Sequence, residues 1–385
     1  MYSNDGTGRD LAKRKLLKAG FGGLCALCLA GVGGRAIRTQ ASPAPRGLVR
    51  PRPGRWFREG AGGLVHCELC PWECVLESGE TARCRVRSNQ GGIGHTLAYG
   101  NPVLVQEDPV ERLPFFHVLP SSRTLSVSTA GCNLACKFCE VWDMALVDPH
   151  EVHAYDMPPA TVIDHATAAH LKSVSYAFGE PVVFYEYMFE TAELARDAGL
   201  LNLLHTAGYI QPAPLKELAA RIDAANVDLK GFDAAFYRDI CGGELAPVLE
   251  SLVSLKRAGV HLEITNILIP TLNDDIGSIR RMCAWIRDEL GADVPLHFAR
   301  FYPLYRLANL PQTPVSSLDR ARETALEEGL RYVYVSRVTG HAGENTYCPN
   351  CAEIVIGRVG FIIDEVNLSG GRCSHCGEAI PGRWA

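Results

Sequence analysis

From Leu125 onward, short apolar runs alternate with longer amphipathic stretches. The runs Leu125–Thr129, Ser173–Phe178, Asn202–His205, Ala225–Leu229, Leu262–Leu268 and Leu296–Phe301 have strand length, and another follows at Tyr332–Val335. Between them, Pro159–Lys172, Tyr185–Ala198, Pro214–Ile222, Pro247–Ala258, Asp275–Leu290 and Leu318–Glu328 carry apolar positions at helical spacing. Proline opens several of these helices, and Gly199, Gly259, Gly291 and Gly329 close four of them. Strands alternating with crossover helices predict an α/β chain with a parallel sheet. About six βα units are too few for a full eight-unit barrel. The expected fold is a partial (β/α)6 TIM-type barrel.

The flanks lack this rhythm. Residues 59–122 are rich in Gly and Cys and end in the Pro-studded Asp108–Pro120 stretch, and residues 341–385 form a Cys-rich tail. The expected organisation is a leader and linker over 1–58, a Cys-rich N-terminal extension over 59–122, the barrel over 123–340 and a Cys-rich tail over 341–385. In the leader, Lys13-Arg14-Lys15-Leu16-Leu17-Lys18 precedes an uncharged run from Ala19 to Gly34. That run is too short and Gly-rich for a membrane span, which needs about 20 apolar residues. A charged segment before a short apolar one has the form of a signal peptide. It resembles a twin-arginine signal with Lys13 in place of the first arginine. Two locations follow, the cytoplasm or export to the periplasm. Ser42–Arg58, rich in Pro and Arg, reads as a linker.

Composition narrows the class. The 385 residues are 47% hydrophobic, enough apolar surface to exclude disorder for most of the chain. Residues 1–58 hold 12 Lys/Arg against 2 Asp/Glu, so the remainder carries −15 of the overall −5. An acidic body argues against a nucleic-acid partner.

The 15 cysteines are clustered: Cys67, Cys70, Cys74 and Cys84; Cys132, Cys136 and Cys139; Cys348, Cys351, Cys373 and Cys376. Cys25 and Cys28 lie in the leader, and Cys241 and Cys283 stand alone, with core packing as their default role. Such close spacing gathers thiolates on a metal rather than stapling distant segments, and points to folding where thiols stay reduced. Cys132-x3-Cys136-x2-Cys139 follows the first strand directly. A [4Fe–4S] cubane needs four ligands, so three thiolates leave one iron open to an exogenous molecule. Zinc suits three ligands without an adjacent fourth less well.

Polar residues recur at the ends of the later strands: Gly179-Glu180-Pro181, His205-Thr206-Ala207-Gly208, Asp228-Leu229-Lys230, Thr265-Asn266, then His297, Arg300 and Tyr302. In a βα barrel these ends share one face, where working residues collect. Taken singly, Glu180 also reads as an exposed helix-start acid and His205 as a half-buried residue. Asp228 with Lys230 also reads as a surface ion pair worth less than about 1 kcal/mol.

The cysteine loop, with Phe138 just before its last Cys, resembles that of the radical SAM superfamily. The resemblance implies a [4Fe–4S] cluster on Cys132, Cys136 and Cys139 whose open iron binds S-adenosylmethionine (SAM). Reductive cleavage of SAM would then give a 5′-deoxyadenosyl radical that abstracts hydrogen from a substrate. It further implies that Gly179 and Glu180 meet the SAM amino group, that Asp228 and Lys230 reach its nucleoside and carboxylate, and that Phe138 and His205 border it. Asp108-Pro109-Val110-Glu111-Arg112-Leu113-Pro114-Phe115-Phe116-His117, the front Cys quartet, Asn345-Thr346-Tyr347-Cys348-Pro349 and Ile380-Pro381-Gly382 narrow the likeness. They resemble the AmmeMemoRadiSam-system radical SAM enzymes, relatives of the pyruvate formate-lyase activating enzymes. This sequence departs from them at Thr206-Ala207-Gly208, where Asn before Gly is expected, and at Tyr302, where His is usual.

The paired CxxC turns at Cys348/Cys351 and Cys373/Cys376 match a zinc-ribbon or rubredoxin-like site, for Zn²⁺ or iron. Cys67, Cys70, Cys74 and Cys84 offer four ligands to a second metal, zinc or an auxiliary iron–sulfur cluster. Both sets are closed by four thiols, which suits structural or electron-relay roles. The leading expectation is therefore a SAM-cleaving radical enzyme served by an external one-electron donor and acting on a small-molecule or protein substrate. The alternatives are a multi-cluster electron-transfer protein without SAM chemistry and a metal-bound scaffold.

Overall fold

The computed structural model describes residues 46–385, so the leader segment 13–34 lies outside the described residues. An eight-stranded sheet forms the centre. Its strands are β1 (Leu104–Pro109), β2 (Arg123–Ser128), β3 (Ser173–Tyr176), β4 (Leu201–Thr206), β5 (Ala224–Asp228), β6 (His261–Leu268), β7 (Leu296–Arg300) and β8 (Val333–Ser336). They lie side by side in chain order. β1 pairs antiparallel with β2, and all other neighbours are parallel. Helices α1 (Pro159–Ala168), α2 (Tyr185–Asp197), α3 (Pro212–Ala219), α4 (Leu245–Arg257), α5 (Ile276–Leu290) and α6 (Val315–Glu327) make the six crossovers. This is the α/β partial barrel the periodicity predicts. Local chemistry sets the helix limits. Asp275 caps α5 by accepting from the Ser278 amide at 2.8 Å, a bond typically worth about 1 kcal/mol.

Two stretches outside the periodic region belong to ordered sheets. β1 is half-buried at every position but Asp108, so no alternation marks it in the sequence. The end of the presumed linker is likewise corrected. Arg52–Pro53 pairs with His95–Thr96, Phe57–Glu59 pairs with Val65–Cys67, and Arg50 meets both oxygens of Asp156 at 2.6 and 2.7 Å. Backbone pairing holds this segment, and Pro/Arg composition gives no sign of it.

The apolar core lies between sheet and helices, with Val127, Val174, Leu204, Val227, Ile264 and Phe298 fully or almost fully buried. Deeper inside, the chain before β2 enters the barrel. The Phe116 and His117 amides donate to the buried Glu263 carboxylate at 3.1 and 2.9 Å, and His297 Nε2 sits 2.8 Å from it. Burial alone would raise the Glu263 carboxyl, but His261 and His297 outweigh it and hold it below its ordinary range. The C-terminal residues fasten to the same segment. Arg358 donates to the Phe116 carbonyl at 2.7 Å, and the Arg383 amide donates to the His117 carbonyl at 2.8 Å. His117 Nδ1 also lies 2.6 Å from the Pro381 carbonyl oxygen, so two of the stretches that carry the narrower resemblance, one before the first parallel strand and one at the chain's end, are in contact.

Candidate active site

The loop after β2 carries the three central cysteines. Gly131 opens it at φ +99°, where an added Cβ would stand 2.8 Å from the Cys84 carbonyl oxygen and 2.6 Å from Val86. Only glycine fits both the left-handed backbone and that contact. Beyond it, the Asn133 side chain donates to the Tyr209 carbonyl at 2.7 Å. The Ala135 and Lys137 amides donate to the carbonyls of Cys241 and Ile240, each at 2.9 Å. These bonds fix an irregular loop that has no strand or helix to satisfy its backbone. Burial pushes the Cys132 and Cys139 thiols up, Cys139 to about 11, whereas contact with Cys241 lowers Cys136. Cys241 is fully buried behind the loop and does not line the cavity, and Cys283 is buried in α5.

Cys132, Cys136 and Cys139 face a cavity of about 620 Å³ at the C-terminal ends of the strands. Phe138, Gly179, Glu180, His205, Asp228 and Lys230 line it too. The residues that the resemblance assigns to the cluster and to SAM therefore line one cavity. Glu180 is not an exposed acid: it is 3% exposed and bound on both oxygens. It accepts from the Thr206 hydroxyl at 2.6 Å and from the Ala207 and Val182 amides at 2.8 and 3.1 Å. Burial raises its carboxyl above the ordinary range despite these donors. Ala207, standing where Asn was expected, contributes its amide rather than a side chain.

Asp228 and Lys230 are not a surface pair either. Lys230 Nζ lies 2.9 Å from one Asp228 oxygen and His205 Nε2 lies 3.0 Å from the other, with 11%, 20% and 22% of the Lys230, Asp228 and His205 side chains exposed. Burial alone would raise Asp228, but Lys230 and His205 hold it below its ordinary range. The Lys230 ammonium also lies 5.8 Å from the Phe138 ring centroid, above the cysteine loop.

Three strand-end residues do not reach the cavity. Asn266 and Arg300 occupy the opposite face of their strands and bond to the carbonyls of Leu229 and Thr313. His297 lies on the inner face but deeper, tied to Glu263. Thr265, Ala299 and Tyr302 line the wall instead, and the Tyr302 hydroxyl donates to the Arg337 carbonyl at 3.1 Å. Sequence reasoning missed Arg337, paired with Glu140, and Glu344 and Phe361 from the C-terminal extension, all of which line the cavity. Phe361 is 51% exposed beside the Gly360 turn, and nothing in the sequence around it marks that exposure.

At the C-terminal site, Cys348 and Cys376 sulfurs lie 3.5 Å apart and Cys351 and Cys373 sulfurs 3.8 Å apart. The four sulfurs all lie within 4.8 Å of one another, a group able to hold a metal ion.

The radical SAM superfamily matches residues 126–283, the stretch from β2 into α5. An uncharacterized protein of Methanocaldococcus jannaschii is 40% identical over 331 residues, 86% of this chain and 98% of its own. The chain belongs to the radical SAM superfamily. The pyruvate formate-lyase-activating enzyme of Clostridium pasteurianum is 25% identical over 44% of this chain and 71% of its own. A solved domain of such an enzyme from Bacteroides vulgatus aligns at 14% identity over 43% of this chain and 98% of its own, with a TM-score of 0.37. The protein is thus a radical SAM enzyme, with a [4Fe–4S] cluster and SAM as cofactors, that generates a 5′-deoxyadenosyl radical. The reading as an electron carrier without SAM chemistry falls away.

Proposed function

We propose that Cys132, Cys136 and Cys139 ligate the cluster, that Glu180 and the 206–207 backbone receive the SAM amino group, and that Lys230 and Asp228 meet its carboxylate and nucleoside. The donor set fits. Three thiols from one loop face a cavity whose polar lining includes an acid for an ammonium, Glu180, and a base for a carboxylate, Lys230. When bound, the reduced cluster supplies one electron that breaks a carbon–sulfur bond of SAM. The chain's own work is placement. Glu180 locks the loop after β4, Lys230 is held over the cysteines by Asp228, and the enclosing walls keep water from the reacting centre.

The narrower assignment is to the AmmeMemoRadiSam-system enzymes, on the segments that clasp the barrel interior and the chain's end. The substrate is a small molecule or a protein segment that enters the 620 Å³ cavity past Tyr302 and Phe361, and activation of a glycyl-radical protein is one form of the latter. An external one-electron donor serves the cluster, and no nucleic acid is involved. We assign Zn²⁺, with iron as the alternative, to the C-terminal quartet, whose sulfur spacing matches the edge of a tetrahedral S₄ site, about 3.8 Å for metal–sulfur bonds of about 2.3 Å. The enzyme works in the cytoplasm or, exported through its leader, in the periplasm.

The observation that carries this reading is the convergence of three thiols, Glu180 and Lys230 on one cavity. Anaerobically reconstituted protein, reduced with dithionite in the presence of SAM, should yield 5′-deoxyadenosine. Cys136→Ala should abolish the product and the central cluster while the C-terminal metal stays bound. No product from wild-type protein with an intact, reduced cluster would overturn the assignment of these residues.

A further inference from the structure

The front cysteines enclose a hollow of their own. Cys67 ends the strand Val65–Cys67, Cys70 and Cys74 flank the turn that follows, and Cys84 precedes the strand Arg87–Gln90. All four line a hollow of about 10 Å³, whose other walls include Leu69, Trp72, Ala82 and Val182 and the cationic side chains of Arg83 and Arg87. A zinc ion with sulfurs at about 2.3 Å leaves no space between them for a water-sized sphere. The C-terminal quartet shows such contraction, with sulfurs 3.5 and 3.8 Å apart. The front quartet does not. Among the described residues, the C-terminal quartet is the one group of three or more such ligand atoms within 4.8 Å of one another. The front set shares its wider spacing with Cys132, Cys136 and Cys139, which also fall outside that limit. A four-iron core, standing between its thiolates, requires such spacing.

The hollow also abuts the central loop. Cys84 packs its carbonyl against Gly131, the Trp72 indole donates to the Asn133 carbonyl at 2.7 Å, and Asn133 lines the hollow. Residues 131–133 are therefore a wall between the two sets of thiols. Cys70 and Cys74 lie at a partly exposed edge, whereas Cys67 and Cys84 are buried.

We propose that Cys67, Cys70, Cys74 and Cys84 hold a second [4Fe–4S] cluster, ligated by protein at all four irons and exchanging electrons with the first. One electron from a low-potential one-electron donor protein reduces the second cluster at its exposed edge. The same electron then passes through residues 131–133 to oxidised central cluster, with no bond made or broken and no proton transferred. The relay rests on the proposed central ligands, but the existence of the second cluster does not.

The test uses full-length protein reconstituted anaerobically. Wild type should bind about eight irons and eight sulfides per chain, and C132A/C136A/C139A about four of each. The cluster remaining in that variant, reduced by dithionite, should give an electron paramagnetic resonance signal that SAM does not change. C67A/C84A should lose the complementary half, which keeps the proposal testable even where the triple variant fails to fold. In reduced wild type the two signals should be broadened by mutual coupling. A triple variant that folds without acid-labile sulfide, or a second zinc per chain in wild type, would overturn the cluster, and uncoupled signals would overturn the relay. Wild type with four irons, kept in the triple variant and lost in C67A/C84A, would instead retain this cluster and refute the central ligand assignment.

Discussion

Replacing Lys230 with Met removes one ion from a pair held 2.9 Å apart under the cavity. At that separation and an effective dielectric of about 20, the attraction is about 6 kcal/mol. Desolvation of both ions opposes it. Breaking a buried pair by removing one partner typically costs about 3–5 kcal/mol, because the other charge is stranded. Asp228 keeps its bond to His205 and some contact with the cavity, so the cost of Lys230→Met belongs at the lower end, about 3 kcal/mol. The double variant Asp228→Asn/Lys230→Met strands no charge and should cost less than the two single changes together. The Asp228 carboxyl is held below its ordinary range, so its contribution is complete above that range and is lost as pH falls through it. Wild type should therefore lose stability on acidification below about pH 4 more steeply than Lys230→Met does. Urea unfolding of the four proteins in the cycle, followed by circular dichroism at pH 7, at pH 4 and at about pH 2.5, reads both effects. A Lys230→Met variant as stable as wild type, or a double variant costing the sum of the singles, would refute the argument that this pair is buried and coupled.

Glu180→Gln places an amide group where three donors converge, leaving one of them unmatched. SAM binding measured by equilibrium dialysis should weaken about tenfold or more while iron content is unchanged, as expected for loss of a charge-assisted bond. Cys376→Ser opens the C-terminal quartet, and elemental analysis should show loss of its metal with the cluster iron retained. Burial lowers His117 from 6.5 to about 3, so folding favours its neutral form. Its contribution is full above pH 6.5 and is lost as pH falls toward 3, so thermal stability should decline over that interval. His117→Gln should flatten the decline, and a parallel loss in both proteins would exclude His117 as the group responsible.

The parts legible in the sequence were those encoded at short range. Three cysteines within eight residues, a glycine ahead of them, and apolar runs alternating with helical stretches each depend only on neighbours along the chain. They were enough to predict the α/β partial barrel and the loop that faces its mouth. Edge strand β1 was hidden because an edge strand half-buried on both faces shows no alternation.

Which strand-end residues reach the cavity was decided by the tertiary structure. Side chains alternate between faces with a period of two, so Thr265 enters the wall while its neighbour Asn266 turns outward, and Arg300 turns away beside Ala299. Depth along the strand removes His297, which is on the correct face but bound to Glu263. The burial of Glu180 and of the Asp228–Lys230 pair likewise follows from elements far apart in sequence closing over them. The sequence by itself determined which ligands and charges are available. The packed chain decided how far apart the thiols stand and which charges lose their water, because both depend on distances that folding alone sets.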